Sequence, residues 1–288
     1  MTLLQSNLQV LKRYKQAPLP FIGQKRNFIR HFEQVLKDNL TDGGRGWTIV
    51  DVFGGSGLLA HNAKRLYPKA TIIYNDFDNY SKRLKHIADT NRLRQIITQL
   101  LQNYERSKLL NTHTKLQVLT VIKNFDGFVD IQSIAKWLLF SVQQVKTLDE
   151  MATKSFYNRI NRNDYKQCDD YLNGLIITRQ SYTELLPKYQ NNPKALLLLD
   201  PPYLYTGQGA YALEGYFAMV DFLKLMALTR PPYIMFSSTK SELLDYLDYL
   251  QTQNNDDWHR LGHYQKLSLT TAINHTARYE DQMIYKFK

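Results

Sequence analysis

The sequence predicts an α/β fold, a mostly parallel sheet with a closing antiparallel hairpin and an inserted helical domain. Three observations carry this reading. Apolar runs without alternation recur along the chain, the pattern of strands covered on both faces. A helical pattern lies between the first two runs and makes a βαβ unit. Residues from about 86 to 174 then break the rhythm with polar helical patterns that are at least as basic as the rest of the chain.

WTIVDVFGGSG reads as a short buried strand feeding a glycine turn. LLAHNAKRLYP reads as a helix closed by Pro68, because proline lacks the N–H a helix needs. ATIIYNDFD is a second strand ending in acidic residues. The interruption that follows, with its turn-like NFDGFVD, predicts an insert over 86–174 that leaves 1–85 and 175–288 as one sheet domain. KALLLLD is a third strand ending at Asp200, and PPYIMFSST a fourth ending at Ser237. HYQKLSLTTAINHTARYEDQMIYKFK holds two β-rich runs, the closing antiparallel pair.

A chain of 288 residues suits one large domain carrying a smaller one. Its 37 Lys and Arg against 26 Asp and Glu give a formal charge of +11. Such an excess favours a polyanionic partner, since neutralised phosphates release condensed counterions, although an ordinary basic surface gives the same count. No run of about 18 apolar residues exists to span a bilayer, and the start MTLLQSNLQVLKRYK has no apolar leader core, so a cytoplasmic protein without a membrane role is expected. Cys168 stands alone, which excludes an internal disulfide framework and a CxxC-type zinc site; no metal is expected.

The sharpest chemical signal is Asp200-Pro201-Pro202-Tyr203, directly after four leucines. Ligands of open parallel sheets bind outside the carboxyl ends of the strands, which places this tetrapeptide at a reaction centre. An aromatic amine is a poor nucleophile because its lone pair is delocalised into the ring. Asp200 can accept one of its N–H bonds and the Pro201 carbonyl the other, which favours a pyramidal nitrogen; two prolines hold these acceptors in place. Tyr203 offers a flat face to a base flipped from a duplex. The plainer alternative is a proline turn whose aspartate caps the next element.

Phe53-Gly54-Gly55-Ser56-Gly57 joins the first strand to a helix and lets backbone approach a ligand closely. It lacks the GKS or GKT ending of a phosphate-cradling loop, which points to a nucleoside that is neutral or zwitterionic. Asp76, in Asn75-Asp76-Phe77-Asp78, lies about 20 residues on, where a carboxylate can accept from ribose hydroxyls, with Phe77 packing on an adenine. A cap on a helix beginning near Tyr80 is the alternative for Asp76.

These blocks together resemble the Dam-like family of DNA adenine-N6 methyltransferases. PLPFIGQK resembles its amino-terminal cofactor motif, with Phe21 and Lys25 at the aromatic and lysine positions; DVFGGSG, from Asp51, resembles the glycine motif; NDF resembles the ribose motif and DPPY the catalytic one. Weaker matches are RQSYTELL, which puts Tyr182 beside the cofactor adenine, and FSST after the fourth strand. The resemblance covers roughly residues 18–85 and 178–288. It implies an S-adenosyl-L-methionine cofactor, a sheet of the methyltransferase type, duplex DNA as partner with no obligate protein partner, and a target-recognition role for the insert. The insert keeps only a partial echo in SFYNRINRNDYKQCDD, where Asn158, Arg159, Arg162 and Asn163 are candidates for DNA contact, since Arg and Asn bond bidentately to guanine and adenine edges. Methylation of cytosine N4 or of adenine in RNA uses the same chemistry, and a DNA-binding module without catalysis keeps the same fold.

Overall fold

A computed structural model describes residues 12–140, 145–204, 217–238, 241–272 and 278–288. Thr239, the last residue of FSST, lies outside them. Among the described residues the sheet has seven strands in the order β3-β2-β1-β4-β5-β7-β6. These are β1 (Thr48–Asp51), β2 (Thr71–Asn75), β3 (Ile176–Thr178), β4 (Ala195–Leu199), β5 (Tyr233–Ser238), β6 (Gln265–Ala272) and β7 (Arg278–Lys286). The first five in spatial order run parallel, while β7 is antiparallel to both β5 and β6.

The mostly parallel sheet and closing antiparallel pair are those expected. One strand is additional: β3, three residues at the edge beside β2, follows the insert. Ile176 and Ile177 are about half exposed there, so no buried run announces it.

Every residue of β4 and β5 is buried, as strands covered on both faces must be. On one face Ile49, Ile72, Tyr74, Leu196 and Leu198 meet α1 (Ile29–Asn39) and α2 (Leu58–Leu66) through Phe32, Leu36, Leu59 and Ala63. On the other Val50, Val52, Leu197, Leu199 and Met235 meet Phe222, Leu225, Leu243 and Leu247 of the later helices. Burying one such side chain contributes about 1.5–3 kcal/mol.

Between β2 and β3 come α3 (Tyr80–Lys85), α4 (Ile87–Leu100), α5 (Thr112–Lys123), α6 (Ile131–Leu138) and α7 (Leu148–Ala152). Asn111 caps α5 by accepting from Thr114 N–H at 2.8 Å, and Thr147 caps α7 by accepting from Glu150 N–H at 3.1 Å. Val118 and Ile122 of α5, Ile134, Trp137 and Leu138 of α6, and Leu93 and Ile97 of α4 form a core separate from both sheet faces. A buried bidentate pair fastens this unit to α3: Arg83 Nε and a terminal nitrogen donate to the two oxygens of Asp130 at 2.9 and 3.1 Å. Removing one partner of such a pair costs about 3–5 kcal/mol.

The segment before α1 is strapped to the sheet domain by His61 of α2. Its Nδ1 lies 2.6 Å from the Tyr171 carbonyl, and its Nε2 accepts from Tyr14 N–H at 3.1 Å, an arrangement open only to the neutral ring protonated at Nδ1. Burial pushes the imidazole down from 6.5 to about 4. The unfolded state therefore binds more protons between these two values, and stability falls as pH falls through that window. Denaturant titrations should show His61→Gln losing this component of the pH dependence; identical profiles for variant and parent would contradict the neutral-ring latch.

Candidate active site

Chain order reverses between β1 and β4, so the carboxyl ends of these strands open the crevice where ligands of such sheets bind. Asp51 ends β1 and Asp200 follows β4. Asp51 is buried, and the one hydrogen bond to its carboxylate among the described residues comes from Ala60 N–H at 3.3 Å. Burial raises its pKa to about 7; the Ala60 donor opposes this, and the nearby Asp200 charge adds to it. Asp200 is also raised by burial, but the Lys25 ammonium, 2.6 Å from Oδ2, holds it down. Lys25 is brought there by the turn before α1, where its Nζ also donates to Gly23 O at 3.0 Å.

Tyr203 follows through the buried Pro201 and half-buried Pro202, and its hydroxyl lies 3.5 Å from Asp200 Oδ1. The Lys25 ammonium sits 5.7 Å from the Tyr203 ring centroid and 5.8 Å from that of Phe236. The loop is braced from a distance: Glu242, buried at the start of the helix Glu242–Gln253, accepts from Leu204 N–H at 3.0 Å. Nothing in the sequence points to Glu242, because 38 residues separate the partners.

The glycine turn is tight. Gly57 N–H donates to Gly54 O at 2.7 Å, and Gly55 and Gly57 have φ of +48° and +71°. A Cβ on Gly54 would fall 2.4 Å from the Tyr74 ring, and one on Gly55 would fall 2.8 Å from the Phe21 ring. Phe21 therefore lies against the turn, with its edge toward Tyr80 at 5.7 Å. Ser56 is buried, and its carbonyl accepts from the Tyr171 hydroxyl. Tyr74, unmarked in the sequence because it reads as core, has its hydroxyl 2.7 Å from Gly55 O and 3.0 Å from Asp76 Oδ1, two acceptors that share its one proton.

Asp76 is buried and caps α3, its two oxygens accepting from Tyr80 N–H at 2.6 Å and Ser81 N–H at 2.9 Å. Neighbouring Asn75 braces β1 and the loop after β3 by donating to Val52 O and Gln180 O. Phe77 beside them is 46% exposed. Phe53 and Tyr182 lie on the opposite flank, 6.0 Å apart, each 6.1 Å from Phe217. Phe217 is a third aromatic that the sequence motifs do not mark.

Of the four residues singled out in the insert, Asn158 turns inward: it is buried and donates to Tyr104 O at 2.8 Å. Arg159 donates to Leu139 O and lies over the Phe140 ring. Arg162 and Asn163 are exposed and line one pocket with Arg106 and Asn161. Buried Arg94 holds that loop from beneath by donating to the carbonyls of Asn161 and Arg162 and pairing with Asp164.

The site thus joins a glycine turn without Cβ atoms, the strand-end carboxylates Asp51, Asp76 and Asp200, the last of them paired with Lys25, and the aromatic side chains of Phe21, Phe53, Phe77 and Tyr182. Those carboxylate acceptors beside one ammonium fit a zwitterionic nucleoside better than a phosphate. A family described as D12 class N6 adenine-specific DNA methyltransferase matches residues 21–216. A protein of Haemophilus influenzae named "Putative methyltransferase" is 50% identical over 277 residues, 96% of this chain and 94% of that protein. A solved precorrin-6y C5,15-methyltransferase from Geobacter metallireducens GS-15 aligns with a TM-score of 0.38 at 8% identity, covering 96% of this chain and 100% of that one, too loose a likeness to bear on function.

Because the Lys25 ammonium opposes the upward push of burial on Asp200, Lys25→Met should move the Asp200 carboxyl titration to higher pH, as carbon-detected NMR would read. An unmoved titration would contradict the pairing.

Proposed function

The chain belongs to the D12 class of N6 adenine-specific DNA methyltransferases, and from that premise we propose that it transfers a methyl group from S-adenosyl-L-methionine to adenine N6 in duplex DNA, on a base flipped out of the stack. The observation that carries this reading is the convergence of Lys25, Asp200 and Tyr203 at the strand-order reversal. When bound, the cofactor supplies an electrophilic methyl on a sulfonium.

The residues suited to hold it are Phe21 and Gly54 to Gly57 around the turn, Asp51 and Asp76 at the ends of β1 and β2, and Lys25, whose ammonium suits a carboxylate. Phe53, Phe77 and Tyr182 supply apolar faces for its adenine. Asp76 can serve a ribose and α3 together, since Oδ2 accepts only one bond from the protein among the described residues. A hydrogen bond of this kind to a charged group contributes about 1.5–3 kcal/mol.

Asp200 accepts from the target amino group, and its charge stabilises the positive charge that grows on nitrogen as the methyl arrives. Pro201 O is the second acceptor, and Pro202 fixes the turn. Tyr203 stacks on the flipped base, an interaction of about 1–3 kcal/mol in comparable sites. No proton needs to leave before attack; Asp200 or water takes it from the methylated amine. In the insert, Arg162 and Asn163 are the exposed candidates for DNA contact. Arg159 and Asn158 hold their loop.

Single-turnover assays with saturating cofactor and a methylatable duplex test these roles. Asp200→Ala should abolish transfer in a protein that still binds DNA, whereas Tyr203→Phe should keep most of it. An active Asp200→Ala enzyme overturns the catalytic assignment, and an inactive Tyr203→Phe enzyme shifts the role of Tyr203 from ring to hydroxyl. Arg162→Ala should weaken DNA binding and flatten its salt dependence by about one counterion; an unchanged salt slope removes Arg162 from the interface.

A further inference from the structure

Helix α3 is only six residues long, yet three parts of the molecule are fastened to it. At its start, Asp76 accepts from the Tyr80 and Ser81 N–H groups. On its inner side the fully buried Tyr80 makes two hydrogen bonds to Leu19, accepting from its N–H at 2.9 Å and donating to its carbonyl at 3.0 Å. That fixes the segment carrying Phe21 over the glycine turn. At its end Arg83 holds both oxygens of Asp130, Gln132 Oε1 at 2.7 Å and Pro20 O at 2.8 Å.

Asp130 and Gln132 open α6 of the insert, where Asp130 also accepts from the Ser133 hydroxyl at 2.7 Å. Arg83 is 5% exposed and Asp130 3%, so water cannot replace either partner without opening the joint. One guanidinium therefore binds the segment over the glycine turn through Pro20 and the insert through Asp130, on a helix capped by the candidate ribose ligand. Groups that share one set of buried bonds cannot be displaced independently.

We propose that Arg83 is a positioning residue that couples the two binding events: cofactor binding at the Asp76 end of α3 sets the pose of the insert through Arg83–Asp130, and DNA on the insert tightens cofactor binding in return. The inference rests on the reading of the site as a cofactor pocket and of the insert as the DNA-binding part. By linkage the two enhancement factors are equal, and couplings of this kind usually fall at about 5–150-fold. Asp130→Asn keeps the shape of the joint and removes its charge. Gln132→Ala removes one of the four bonds that Arg83 makes and leaves the ion pair intact.

The test is calorimetric titration of S-adenosyl-L-methionine into the full chain, alone and with saturating duplex oligonucleotide, for the parent, Asp130→Asn and Gln132→Ala. The parent should bind cofactor on the order of 10-fold more tightly with DNA present. Asp130→Asn should bind each ligand separately and lose that factor to within about twofold, with Gln132→Ala between the two. If Asp130→Asn does not fold, by thermal melting, Gln132→Ala alone decides. A merely structural role would lower melting temperature and leave the ratio of affinities unmoved. A parent that binds both ligands without enhancement, or variants that keep the full factor, overturns the coupling and leaves the proposed activity standing; a parent that binds neither ligand defeats the proposed activity itself.

Discussion

Carboxylates at the ends of buried parallel strands must find donors, and the way each finds one organises this molecule. An ionised carboxyl taken out of water costs several kcal/mol unless it is paired or hydrogen-bonded. Asp200 meets the Lys25 ammonium, Asp76 meets the first N–H groups of α3, and, among the described residues, the Asp51 carboxylate meets only Ala60 N–H. Asp51 and Asp200 lie side by side because β1 and β4 are neighbours at the strand-order reversal, and Asp76 follows the next strand, β2. The partly compensated member, Asp51, is the one that burial pushes up to about 7.

The same constraint explains why the segment before α1 matters. It supplies Lys25 to Asp200 and Phe21 to the glycine turn, and it is held at several points: Tyr14 on His61, Leu19 on Tyr80, Pro20 on Arg83. The candidate site is thus built from a sheet whose strand ends are fixed by packing and a strap fixed by hydrogen bonds. The insert hangs from the strap's anchor helix, with its own core below Arg162 and Asn163.

Much of this was legible in the sequence, where local signals existed. Unalternating apolar runs marked β1, β2, β4 and β5, since burial on both faces leaves no polar positions. The DPPY tetrapeptide and the glycine turn marked the crevice because each carries a rare backbone requirement at a strand end. What stayed hidden depends on partners far apart in the chain. Strand β3 is short and half exposed, Tyr74 and Phe217 look like core, and Glu242 reaches Leu204 from the helix that follows β5 in the chain. Residue type alone also failed to sort the insert: Asn158 has the chemistry of a base reader, but its amide holds a carbonyl inside. Both readings of Asp76 were open in the sequence; the helix cap is observed, and it leaves an acceptor position over.

Analysis of the methylated product identifies the reaction. Purified protein would be incubated with S-adenosyl-L-methionine carrying a labelled methyl and with duplex DNA, and the DNA digested to nucleosides and separated by mass spectrometry. The account predicts label in N6-methyldeoxyadenosine and none in deoxycytidine. Label in N4-methyldeoxycytidine, or transfer to RNA but not to DNA, would contradict it.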